Sequence, residues 1–262
     1  MVERDSKVTS FFLKRVFIFL IKKTLYITSF SLITLNAGLL FAVAPSNVAD
    51  TSHNLALSSL PGGYGSTDVT EICVFCHTPH NAILNYPLWN RYSTVERSFT
   101  LYSSHTLDAT MPGNLAADSV SRLCLSCHDG VTAINALVNY GSFGHKPTMG
   151  GDGNYLSSAE GNTANLGTSL RDDHPVGFDY EDAWSKDGKL HPIAQVKAGG
   201  LKFFGTDGNM LECPTCHDPH VDYDEIRGFG FYAGESVGDS RYKPFLRKVN
   251  QSSQLCFTCH NK

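Results

Sequence analysis

Charge is scarce in this chain. Only 18% of its 262 residues are Asp, Glu, Lys or Arg, and 21 basic residues face 25 acidic ones. No basic block follows the N-terminal segment, which argues against a nucleic-acid surface. A long amphipathic pattern is also missing, so the chain is short of regular structure and of a conventional apolar core. Global disorder does not explain this, because apolar residues make up 42%. The length allows one or two domains with a sizeable interior. Something other than side chains is therefore expected to fill it.

What charge there is sits unevenly. Residues 1–44 hold 6 basic and 2 acidic residues, which leaves 15 basic against 23 acidic in the rest. Lys14 to Lys23 is basic and mixed, and Thr24 to Ala44 carries no charge. A positive stretch, an apolar stretch and a small-residue end read as a secretory signal over 1–46, cut near 44–46. Pro45 disfavours a cut after Ala44, and cleavage after Ser46 is the substitute. The rival reading is an uncleaved anchor, since the uncharged run is nearly long enough to span a bilayer. No Cys lies near the cleavage region, which excludes a lipoprotein.

Beyond the signal, residues 47–262 read as one domain. Its first part, 47–70, is polar and Gly/Ser-rich and is expected to be an extended, poorly packed arm. Residues 86–110 carry aromatics and Thr in short runs suited to strands or extended chain. Residues 141–170 read as loop, and Asp207-Gly208 marks a hairpin between LKFFG and MLEC.

All eight Cys fall into four copies of one pattern: Cys73-Val-Phe-Cys76-His77, Cys124-Leu-Ser-Cys127-His128, Cys213-Pro-Thr-Cys216-His217 and Cys256-Phe-Thr-Cys259-His260. CxxCH is the attachment motif of c-type haem. Two Cys three residues apart lie one helical turn apart, so both sulfurs reach the two vinyl groups of one porphyrin edge. The His that follows offers an imidazole nitrogen to the iron. Zinc ribbons and disulfides also use paired Cys, but neither needs a His directly after each pair. With 11 His in the chain, four such placements by chance are roughly a one-in-10⁵ to one-in-10⁶ event. The cofactors implied are four covalently bound haems c. The fold class that follows is a multihaem cytochrome, mostly irregular, with short helices at the motifs, a few short strands, and haems as the core.

His77, His128, His217 and His260 are the proximal ligands on this reading. Among the other seven His, His80 in CHTPH and His220 in CHDPH each lie three residues beyond a proximal His. Neither can cross to the far face of its own haem, but each can reach a neighbouring one. His174, before Pro in DDHPVGFDY, and His53, alone in the N-terminal arm, complete a distal set of four. His105, His145 and His191 read as surface or propionate-contacting residues. Four distal ligands close every iron with two His and leave no open position for a substrate, which argues for electron transfer over catalysis. His53 lies about 20 residues before Cys73, an arm that reaches roughly 60 Å when extended. It either folds back onto its own chain or ligates a haem of a neighbouring copy.

From about His53 to Lys262 the sequence resembles the four-haem extracellular cytochrome filaments of metal-respiring bacteria, within the doubled-CxxCH class. The resemblance is carried by SHNLALSS, CVFCHTPHNA, PLWNRYS, LYSSHTLDAT, LCLSCHDG, DDHPVGFDY, VKAGGLKFFG, CPTCHDPH and PFLRKVNQSSQLCFTCHNK. It implies a head-to-tail homopolymer with a continuous haem chain. It also implies bis-His irons with one ligand from the next subunit, and His53, His80, His174 and His220 as distal ligands. The partners it implies are other multihaem cytochromes as donors and extracellular acceptors such as metal oxides. The expected location is extracellular or at the cell surface, with the periplasm as the alternative. A soluble periplasmic tetrahaem shuttle is the competing function. A multihaem enzyme is the third reading, and it is disfavoured because it commonly needs an altered motif such as CxxCK, whereas all four motifs here end in His.

Overall fold

Among the described residues, short elements are joined by long irregular segments, as expected where no apolar period is sustained. The structure is a computed structural model, and it describes residues 48–56, 64–82, 88–92, 94–150, 154–157, 163–221 and 240–261. The expected signal segment and its cleavage region lie outside the described residues. The described residues all fall within one unit, Val43–Lys262.

Helix α1 spans Ser121–His128 and carries the second motif. Strand β1, Phe178–Asp179, leads directly into α2, Tyr180–Lys186. Asp179 caps α2, its carboxylate accepting from the main-chain N–H of Glu181 at 2.8 Å and of Asp182 at 3.2 Å. Acidic residues in the first turn and Lys186 in the last complement the helix dipole. Helix α3, Ile193–Ala198, starts behind Pro192. Strand β2, Met210–Leu211, pairs antiparallel with β1, placing Phe178 opposite Leu211. Helices α4, Cys213–Cys216, and α5, Cys256–Cys259, are the third and fourth motifs. The first motif forms a 3₁₀ turn, Cys73–Phe75. The hairpin expected at Asp207-Gly208 forms: Phe204 and Met210 exchange main-chain hydrogen bonds at 3.0 and 2.9 Å, and Gly208 takes the left-handed φ of +65° that the turn requires. The strands expected over 86–110 reduce to isolated bridges, Arg91 with Leu137 and Thr100 with Ser169 among them.

Two expectations need revision. Side chains do build a core, in three clusters, each behind a motif. Val69, Val74, Phe75 and Leu137 back the first motif. Phe99, Leu101, Leu115, Leu125 and Leu170 back the second. Phe178, Tyr180, Ala183, Val196, Leu201 and Leu211 lie behind the fourth, with Leu255 and Cys259 packed against them. These residues are scattered singly along the sequence, so no window shows a period, yet contacts distant in sequence gather them.

The second revision concerns the N-terminal arm, which is not loose where it is described. A 3₁₀ turn at Val48–Asp50 is closed by Thr51 and Asn54, both buried. The Asn54 amide donates to the Ala49 carbonyl at 2.7 Å, and Leu55 and Ala56 pack on the first cluster. Asn and Thr favour such local side-chain to backbone bonds, which fold a polar segment without an apolar period.

Candidate functional site

Each CxxCH motif is built as one helical turn. The His main-chain N–H bonds back to the first Cys carbonyl at 2.7 Å in the first motif, 3.2 Å in the third and 2.9 Å in the fourth, and the second lies within α1. Both sulfurs of a pair therefore lie on one side of a turn, as attachment to one porphyrin edge requires. No two of the eight Cys are joined in a disulfide. Burial pushes the Cys76 and Cys216 thiols up to about 12 and Cys259 to about 11. Such sites favour neutral sulfur, which a thioether supplies.

The motifs follow one another in space in their sequence order. A thiolate at Cys127 of the second motif would push up the Cys76 thiol of the first, and one at Cys259 of the fourth would push up Cys216 of the third. Cys213 of the third motif likewise pushes up Cys124 of the second. Elements set these contacts. The Ser121 hydroxyl in α1 accepts from the Cys213 N–H at 3.0 Å, tying α1 to α4. The fourth motif docks on residues 189–191: His191 N–H donates to the Cys259 carbonyl at 2.7 Å and Asn261 N–H to the Lys189 carbonyl at 2.6 Å. Helix α3 meets α5 at Gly199, where an added Cβ would come within 2.7 Å of Thr258.

Three imidazole pairs define the geometry. His53 and His128 have ring centres 6.1 Å apart and planes at 76°. His77 and His220 are 6.1 Å apart at 16°. His174 and His260 are 6.4 Å apart at 69°. Two iron–nitrogen bonds of about 2 Å in line, with an imidazole at each end, put ring centres roughly 6.3 Å apart. Each pair joins a proximal His to one of the distal candidates. His53 lies beside His128 of its own chain, in the position the fold-back alternative expects.

The ring nitrogens are disposed to match. The Nδ1 of His128 lies 2.7 Å from the Ala164 carbonyl, that of His217 2.8 Å from Pro244, and that of His174 2.9 Å from Pro175. An Nδ1–H given to a carbonyl fixes the tautomer that leaves Nε2 as the free donor atom for a metal. Burial, with His128 and His220 nearby, pushes His53 down to about 4, and burial lowers His128 and His217 as well, so all three imidazoles are neutral at neutral pH. The Nδ1 of His53 is itself buried without a hydrogen-bond partner. This donor set fits haem iron. His145, by contrast, uses both ring nitrogens, on the Phe143 carbonyl at 2.7 Å and Asp68 at 3.2 Å.

His80 and His217 are not brought together. His80 is exposed, and neither ring is paired with another imidazole among the described residues. Two buried residues around the motifs carry no signal in the sequence. Arg91 is bonded to α1, and Glu212 bridges the start of α1 to α4. Only their burial reveals them.

No family model and no curated protein matches the chain.

Proposed function

We propose that the protein is an electron conduit: an exported tetrahaem c-type cytochrome that polymerises into an extracellular filament and passes electrons from other multihaem cytochromes to external acceptors such as metal oxides. The observation that carries it is the three imidazole pairs at iron-spanning separation, each combining a CxxCH histidine with a histidine distant in sequence. Haem, when bound, supplies reversible one-electron chemistry at iron. The residues that would hold it are Cys73, Cys76 and His77; Cys124, Cys127 and His128; Cys213, Cys216 and His217; and Cys256, Cys259 and His260. On the distal side stand His53, His174 and His220, with His80 left for the third motif, from its own chain or from a neighbouring copy. Carbonyls on Nδ1 orient the ligands. Two imidazoles on each iron leave no place for a substrate, so the reading is of a carrier and not an enzyme.

The second reading, a soluble periplasmic shuttle, is favoured by one observation. His53 lies beside His128 of its own chain, the arrangement a chain without an intersubunit ligand would use. The test is the protein sheared or secreted from cells. Its intact mass should exceed that of the mature chain by four haems after acid–acetone extraction, and negative stain should show filaments. Fewer than four haems overturns the haem reading. Four haems on dispersed monomers selects the shuttle.

A further inference from the structure

Arg91 is a charge buried without a counter-charge. Its side chain is fully enclosed. Four of its five N–H donors are committed to neutral oxygens: Nε to the Ser126 hydroxyl at 3.0 Å, Nη2 to the Ser126 carbonyl at 2.6 Å and the Ala133 carbonyl at 2.7 Å, and Nη1 to the Ile134 carbonyl. No carboxylate touches it among the described residues. Asp129, the acid beside His128, is ion-paired with Arg97 at 3.1 Å and takes further bonds from Val131 and Thr132. Arg122, two residues before Cys124, is likewise bonded to carbonyls only.

The place of this charge is what matters. Ser126 lies between the two Cys of the second motif. Asn90, next to Arg91, donates its main-chain N–H to the Cys76 carbonyl of the first motif at 2.8 Å. Arg91 therefore stands between the first two attachment sites. The third motif differs: its arginine, Arg247, is neutralised by Asp218 at 2.6 Å. The buried acid Glu212 lies at the junction of the second and third motifs and weighs on both. A guanidinium does not deprotonate in a protein, so Arg91 keeps its charge.

We propose that Arg91 raises the reduction potentials of the haems held at Cys73/Cys76 and Cys124/Cys127 above those held at Cys213/Cys216 and Cys256/Cys259. Electrons then rest at the first two sites. The inference rests on the four-haem reading. Reducing ferric to ferrous iron takes up one electron from a neighbouring reduced haem, makes or breaks no bond, and removes one positive charge. A fixed cation in a low-dielectric interior favours the product of that step.

The test is redox titration of the intact, haem-loaded protein followed by electron paramagnetic resonance. Near-parallel imidazole planes split the iron d orbitals and give a rhombic low-spin signal, whereas near-perpendicular planes give a large-gmax signal. Of the three formed pairs only His77–His220 is near-parallel, so the first site has its own signature. The second and fourth sites share the large-gmax signal, so on reduction the rhombic signal should disappear ahead of the last part of the large-gmax signal to be lost. Disappearance with it or after it overturns the proposal. Arg91→Gln should move the rhombic midpoint to lower potential, while Arg91→Lys, which keeps the charge and loses most of the hydrogen bonds, should hold it near wild type. Equal shifts in both variants overturn it. Should Arg91→Gln fail to mature, the wild-type order still decides. A mass short of four haems instead sinks the underlying reading, before any potential is measured.

Discussion

Glu212→Ala removes the acceptor that joins the two helices carrying the second and third CxxCH motifs. The carboxylate is buried, and its Oε2 accepts from the Ser119 hydroxyl at 2.8 Å, from the Ser121 N–H at 3.3 Å and from the Ser121 hydroxyl. Ser121 in turn accepts from the Cys213 N–H. Alanine leaves three buried donors without that acceptor. The hydroxyls can rotate towards other oxygens, but the Ser121 N–H cannot. An unsatisfied buried donor costs about 1–3 kcal/mol, so the expected loss is about 3 kcal/mol. In a chain of this size that lowers Tm by about 6–12 °C. Urea denaturation of the haem-loaded protein, followed by far-ultraviolet circular dichroism, measures it. A loss below about 0.5 kcal/mol would refute the bridging role. Burial raises the Glu212 carboxyl above its ordinary 4.5, against the pull of its hydrogen bonds from Ser121 and Ser119. The native state therefore binds a proton at pH values where the unfolded chain has released it. This contribution to stability is full below 4.5 and is lost as pH rises through the raised native value. Glu212→Gln, which mimics the protonated form, should stand closest to wild type near pH 4.5 and gain on it as pH rises through the raised native value, where wild type must hold a buried carboxylate. A variant that loses ground to wild type with rising pH would contradict the sign.

His174→Ala should leave the iron at His260 with one protein imidazole and produce one high-spin site, seen by paramagnetic resonance of the oxidised protein; four low-spin irons in that variant would remove His174 from the ligand set. Leu125→Ala empties a fully buried position on the inner side of α1 and should cost about 2–5 kcal/mol with four haems still attached; a near-neutral effect would mean that the second cluster does not bear on stability.

The four attachment turns are legible in the sequence because their chemistry is local: two sulfurs one turn apart and a His beside them fix the spacing. The Asp207-Gly208 turn is legible for the same reason. The pairing of imidazoles is not. Nothing adjacent to His220 announces His77, and nothing adjacent to His53 announces His128, because each meeting joins residues far apart in the sequence that share no local pattern. The apolar clusters escape notice because Phe99, Leu125 and Leu170 belong to one cluster but to three unrelated segments. The arm is misread because the order around Thr51 and Asn54 comes from polar side chains, which a search for apolar period treats as loop.

The His77–His220 meeting also bears on how such a chain reaches its native state. If haems are attached to the chain before it folds, every iron is exposed to every free histidine at once. The native partner of His77 lies beyond two further motifs, whereas His80 is three residues away and free to bind another haem. Loop closure favours near ligands over distant ones, so early coordination would select wrong partners and hold the chain in misligated, slowly escaping forms. The side-chain clusters behind the motifs then acquire a kinetic role: they position each turn so that the distant imidazole arrives first.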